Sequence, residues 1–323
     1  MQISLASKLR EKVGEWRENG YPSKYSAISE VLEYAFIESE GNKTLRYLRK
    51  AQIEALETYW YLRTVEKTPR VFELYKTRFQ NKELLESLGI KIESDDLQEM
   101  LFEANYKGID GIFERIRKDD GFVRKYKLET VRETLTLEYP SYILALAMGS
   151  GKTVLIGAII ASEFAMALEY PDADFVKNAL VFAPGKTILG ALKELSDVPF
   201  AKILPPRLYK PFMSTIKITY TQDGEKNIPV TTESSFNIIV TNTEKIRIQK
   251  PTNGKGTQLL LNFKQKEKTE EQEEIANLRL QTIASLPNIA IFSDEAHHTY
   301  GQSLDTELKK VRKTVDYLAN NTN

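Results

Sequence analysis

The sequence predicts an α/β protein, with a mainly parallel sheet covered by helices and an α-helical N-terminal extension and insertion. Three observations predict it. From about residue 139 onward, short apolar runs alternate with helix-like segments, the pattern of a parallel sheet buried on both faces. The first of those runs passes directly into a glycine-rich turn and then into an apolar helix. From 69 to about 135 the chain is instead charged and helix-favouring, with no strand alternation.

Residues 1–44 read as a helical extension. Leu5, Leu9, Val13 and Trp16, then Ile28, Val31, Leu32, Tyr34 and Ala35, recur at helical spacing, punctuated by Gly20, Pro22 and Gly41. A further helix is expected over 45–62, within a segment 45–66, from Leu48, Ala51, Ala55, Leu56, Tyr59 and Leu62. The segment 67–138 reads as a helical insertion with breaks at Gly89, Gly108, Gly111 and Gly121. Asp95 followed by Gln98 resembles a capping box there. The sheet domain then occupies 139–323. Its strands are expected at 142–147, 179–183, 216–220, 236–240 and 289–293, and its helices at 152–168, 187–195 and roughly 271–285.

Composition removes several classes of function. The 45 basic and 45 acidic residues cancel, so there is no bulk attraction to nucleic acid, although a local basic track is compatible with that balance. No cysteine is present, which excludes a disulfide framework, a thiol nucleophile and thiolate-bound metal. The N-terminus alternates charge with apolar residues and is no signal peptide. The apolar stretch 142–168 is interrupted by Gly149-Ser150-Gly151-Lys152-Thr153, and each half is too short to span a bilayer. The expectation is a soluble, cytoplasmic enzyme or module with no membrane association.

The interruption is itself the main signal. A strand, the turn Met148-Gly149-Ser150-Gly151-Lys152-Thr153 and an apolar helix form the context of a phosphate-binding loop. Glycines let backbone N–H groups turn inward around phosphates, and the helix N-terminus adds partial positive charge. Lys152 is placed to reach the β- and γ-phosphates of ATP, and the Thr153 hydroxyl to hold Mg²⁺. Leu146 stands where the longer form of the motif has its first glycine, so the match is to the shorter G-x-G-K-T form. The bland alternative is a glycine-rich turn with an incidental lysine.

A second signal follows the last strand, where Ser293 leads into Asp294-Glu295-Ala296-His297-His298. A carboxylate at the carboxyl end of a buried strand, on the same sheet as a phosphate loop, is placed to serve as a second Mg²⁺ handle. Asp294 takes that role, and Glu295 is the candidate base that orients the attacking water. His297 is placed to sense the γ-phosphate. Alone, the stretch is also readable as a polar loop after a strand.

Together, Gly149–Thr153 and Asp294–His297 resemble motifs I and II of superfamily 2 DEAD/DEAH-box helicases and translocases. The phrase Ser293–His298, with Tyr300-Gly301 after it, is closest to the restriction (Res) subunits of type III restriction–modification enzymes. Upstream, Leu48-Arg49-x-x-Gln52-x-x-Ala55 resembles the L-R-x-x-Q-x-x-A element of that family, whose glutamine reads adenine; Ala51 stands where an aromatic residue or histidine is common. The same residues also fit a plain amphipathic helix with an outward glutamine. The resemblance implies a RecA-like P-loop NTPase domain with ATP and Mg²⁺ as cofactors, and Arg49 and Gln52 at the nucleotide. It also implies nucleic-acid backbone contacts, with DNA favoured and RNA left open, from Pro184, Gly185 and Lys186 and from Thr241, Asn242 and Thr243. Partners implied are a second RecA-like domain, in cis or trans, and a methyltransferase or modification subunit. The later motifs of that motor do not occur before Asn323, so the expectation is its first domain, poorly active in isolation. Two rival readings stand beside it: an ATP-binding switch or scaffold without turnover, and an unrelated small-molecule kinase. Water activation by an Asp-Glu pair disfavours the kinase.

Overall fold

Fourteen residues from Leu5 to Glu18 open the chain as a helix because Ser4 and Ser7 cap each other reciprocally, each backbone N–H meeting the other's hydroxyl at 3.1 and 3.0 Å. The computed structural model describes residues 4–90, 102, 106, 108–183, 193–221, 230, 236–242, 245–246, 278–293 and 306–321. Its elements in chain order begin with α1 (Leu5–Glu18), α2 (Ser26–Tyr34), β1 (Phe36–Ser39), β2 (Asn42–Leu45) and α3 (Lys50–Trp60), which runs on into a π-helical turn, Tyr61–Val65. The helices α4 (Val71–Arg78), α5 (Asn81–Ser87), α6 (Gly108–Lys118), α7 (Asp120–Tyr126) and α8 (Glu129–Leu135) follow. Then come α9 (Lys152–Glu169), β3 (Asn178–Ala183), α10 (Pro206–Thr215), β4 (Ile216–Tyr220), β5 (Phe236–Asn242), β6 (Ile289–Ser293) and α11 (Thr306–Asn321). The chain divides into two units, one made of Met1–Leu32 with Ile53–Ala147, the other of Glu33–Gln52 with Met148–Asn323.

The first unit is helical. Short amphipathic helices, α4 to α8, bury one stripe each, and Phe79, Leu84, Leu85, Phe113, Ile116 and Val123 meet in a common core. A charged cluster ties α1 to α3: the Glu57 carboxylate is fully buried and accepts bonds from Arg17 Nε and the Tyr21 hydroxyl, both at 2.7 Å. Burial pushes the phenols of Tyr21, Tyr75 and Tyr142 above their ordinary value and that of Tyr61 up to about 12. The unfolded chain loses those protons near pH 10 while the folded unit keeps them, so alkali favours unfolding. The stability they protect is therefore intact below about pH 10 and lost as pH rises through the folded values. Helical circular dichroism is expected to collapse together with a rise in phenolate absorbance above about pH 10. All sixteen phenols titrating near 10 with the helix signal unchanged would contradict it.

The second unit holds the sheet. Its order is β4-β5-β3-β6 and every pairing is parallel, with Phe182 opposite both Thr241 and Ser293 and Ala183 opposite Asn242. The described residues of β5 are all buried, as an apolar run with neighbours on both edges should be. Helix α9 is apolar nearly all round and packs against α10, with the Phe164 ring tilted against those of Phe212 and Phe236, their centroids 6.4 and 5.2 Å away. Gly157 lets Leu195 and Val198 approach, since an added Cβ would lie 3.2–3.3 Å from their methyl groups. Gly157→Ala sets about 1–3 kcal/mol of overpacking against roughly 1 kcal/mol of gained helix propensity, so a net loss of up to about 2 kcal/mol is expected, read from urea unfolding.

Several elements differ from the sequence expectation. Four expected strands form, and β5 runs two residues further, through Thr241 and Asn242. The run 142–147 does not form a strand: it has no ladder partner among the described residues, and Ile143 is 61% exposed. Apolar content without a neighbouring strand does not make a β-strand. The extension expected to be helical through residue 44 ends instead in an antiparallel hairpin of β1 and β2. Glu40 and Gly41, both at positive φ, form its two-residue turn, so the helix expected from residue 45 begins at Lys50. Of the helix expected at 187–195, the described part is a 3₁₀ turn, Lys193–Asp197; of that at 271–285, residues 278–284 are helical. The capping pair Asp95 and Gln98 lies outside the described residues. Among the described residues, no helix is long and apolar enough to cross a membrane.

Candidate nucleotide site

The turn from Met148 to α9 is built on two glycines in the left-handed region, Gly149 at φ +72° and Gly151 at φ +80°. That conformation is inexpensive only without a Cβ. Gly151 is the N-cap residue of α9 and has no side chain with which to cap it. The helix therefore opens with no N-cap side-chain bond, the form an anion-binding helix start takes. Ser150 Oγ in the same turn is buried without a hydrogen-bond partner. A buried hydroxyl without a partner at the start of a helix, with a lysine following, fits a phosphate group.

Two side chains from the start of α3 reach this turn. Arg49 Nη1 donates to the Gly149 carbonyl at 2.8 Å, and Gln52 Nε2 donates to the Gly151 carbonyl at 2.8 Å. The other end of the Gln52 amide accepts the Arg49 backbone N–H at 2.7 Å. Gln52 is only 3% exposed, so the outward-facing alternative is not what the structure adopts. A Cβ at Gly151 would stand 2.5 Å from Gln52 Nε2, so a larger residue there would push the Gln52 amide off the loop as well as strain the backbone.

Of the other residues singled out in the sequence, Thr241 and Asn242 end β5 and are both buried. Thr221 Oγ1 donates to Thr241 Oγ1 at 2.9 Å, Asn242 Oδ1 accepts the Lys245 N–H at 3.1 Å, and Lys245 Nζ donates to the Thr221 carbonyl at 2.8 Å. Their polar atoms brace the strand end. Pro184, Gly185, Lys186, Thr243, Asp294, Glu295 and His297 lie outside the described residues. The strands that lead to them do not: β3, β5 and β6 run parallel, so Ala183, Asn242 and Ser293 close the same edge of the sheet. For Mg²⁺, the sequence offers the Thr153 hydroxyl and the Asp294 carboxylate, hard oxygen donors that suit that ion. Among the described residues no cluster of three His, Asp or Glu side chains gathers. The bonds from Arg49 and Gln52 to the loop carbonyls were not foreseen from the sequence; only the shared element Leu48–Ala55 pointed to these two residues.

A parallel α/β sheet whose strands β3, β5 and β6 end at one edge, with a glycine turn feeding a helix that has no N-cap side-chain bond, is the frame of a P-loop nucleotide-binding domain. The family described as type III restriction enzyme, res subunit, matches residues 122–322, more than half of the chain. The chain belongs to that family, and the matched part is a superfamily 2 helicase N-terminal domain, a helicase-like ATP-binding motor domain of RecA-like fold. Comparison with the curated proteins and with the solved structures gave no match.

Proposed function

We propose that this chain is the ATP-binding motor domain of a DNA helicase or translocase from a restriction-like system. In this reading it hydrolyses ATP with Mg²⁺ when a second RecA-like domain, in cis or in trans, completes the site. The observation that carries the reading is the glycine turn at Gly149–Gly151 opening α9, with Lys152 at the helix start. Backbone N–H groups there bind the phosphates, Lys152 holds the β- and γ-oxygens, and Ser150 Oγ gains the partner it lacks. Thr153 and Asp294 would hold Mg²⁺, which supplies charge neutralisation on the phosphates. Glu295 orients and activates the water, and His297 senses the γ-phosphate. The carboxyl edge of the sheet, which the loops after β3 and β5 leave, is the surface assigned to a nucleic-acid backbone, with Pro184, Gly185, Lys186 and Thr243 as contacts and Thr241 and Asn242 beneath them. A cytoplasmic location and a modification subunit as a further partner belong to the same reading.

Lys152→Ala tests it. A charge-assisted bond to phosphate contributes about 1.5–3 kcal/mol, so ATP affinity measured by calorimetry should fall by roughly 10- to 100-fold with the fold intact. Unchanged affinity would remove the phosphate-loop assignment.

A further inference from the structure

We infer that Arg49 and Gln52 are positioning residues that hold the phosphate loop from behind and so aim its N–H groups at the phosphates; the inference rests on the ATP-binding reading above and gives these two residues a role in it. In a planar trans peptide the carbonyl of one residue and the N–H of the next point in opposite directions, and no described peptide here is cis. The Gly149 carbonyl is therefore opposed to the Ser150 N–H, and the Gly151 carbonyl to the Lys152 N–H. Arg49 fixes the first carbonyl and Gln52 the second, each at 2.8 Å. Leu155 N–H also meets the Gly151 carbonyl, at 3.2 Å, as the first bond of α9. With both carbonyls held, the Ser150 and Lys152 N–H groups face the other way.

The need for such a brace is local. Two left-handed glycines separated by one residue leave the turn with many alternative conformations, and ordering it would otherwise fall on the ligand. A hydrogen bond to a carbonyl also polarises its peptide and strengthens the opposed N–H as a donor, more so when the donor is a guanidinium. The brace is itself tied back: Gln52 Oε1 accepts the Arg49 N–H at 2.7 Å, so each end of the amide makes a bond that fixes its orientation.

A ligand that has phosphates but no base separates the two roles. Residues 1–323 and the variants Arg49→Ala, Arg49→Lys and Gln52→Ala are titrated by calorimetry with Mg-ATP and with Mg-tripolyphosphate. Arg49→Ala and Gln52→Ala should each weaken both ligands by the same factor, about tenfold for a lost bond of this kind, and Arg49→Lys should recover part of it. Arg49 is exposed, so its substitution leaves the core unaltered should Gln52→Ala fold poorly. Loss of ATP affinity with tripolyphosphate unchanged would mean that the pair reads the base, and would overturn the inference. Parental affinity for both ligands in Arg49→Ala would overturn it equally. Lys152→Ala, run alongside, reports on the phosphate-loop reading itself: if it loses both ligands while Arg49→Ala and Gln52→Ala lose neither, only the bracing role fails.

Discussion

Arg17→Ala is expected to cost the helical unit about 3 kcal/mol, and to cost more than Glu57→Gln. The asymmetry follows from where each charge sits. Glu57 is 0% exposed, whereas the Arg17 side chain is 42% exposed. Removing the arginine leaves a buried carboxylate with the Tyr21 hydroxyl as its remaining partner in this cluster, at 2.7 Å. An uncompensated buried charge costs about 3–5 kcal/mol, and the partial exposure of Arg17 places this pair at the low end of that range. Glu57→Gln keeps the volume and an acceptor for Tyr21 and leaves Arg17 free to turn to water, so about 1–2 kcal/mol is expected. Urea unfolding followed by circular dichroism compares the two variants. A larger loss from Glu57→Gln would mean that the cluster is held together by something other than the desolvated carboxylate.

The parts of this fold legible in the sequence are those whose signal is local. Strands β3, β4, β5 and β6 are apolar runs bounded by turns, and α9 is an apolar helix opened by its own glycine turn. The hairpin Phe36–Leu45 was not legible, because its turn is Glu40-Gly41 rather than Asn-Gly or Asp-Gly and its strands are exposed on nearly every position. Helix α10 was not anticipated, although a proline in the first turn is a start signal and Pro205-Pro206 offered it. The run 142–147 shows the opposite failure, a strong local pattern with no ladder to join. At the candidate site, the glycines and Lys152 announce themselves by spacing. The bonds from Arg49 and Gln52 to the loop do not, because they join residues 100 and 99 positions apart. Sequence order alone carries no distance of that kind.

Glu295→Gln is expected to leave Mg-ATP bound and to lower hydrolysis in the completed motor by roughly 10²–10⁴-fold. That loss is about 3–5 kcal/mol of barrier at 1.36 kcal/mol per tenfold. Strand β6 lies beside β3 in parallel register and ends at Ser293, on the edge that Ala183 and Asn242 also close, and Asp294 and Glu295 follow at once in the sequence. Ligands of parallel α/β sheets gather at the carboxyl ends of strands, so the two carboxylates are assigned to that edge. Their roles differ by chemistry. A glutamine at 295 still donates and accepts hydrogen bonds and so still orients a water, but it cannot take its proton; ground-state binding survives and the chemical step does not. Asp294→Asn removes a negative oxygen from a hard cation, so the Mg²⁺ concentration needed for half-maximal activity should rise instead. Single-turnover phosphate release, measured with saturating ATP and DNA across a Mg²⁺ titration, separates the two effects. Parental rates in both variants would make the acidic motif structural, and loss of ATP binding in Glu295→Gln would move that residue from the chemistry to the binding of the nucleotide.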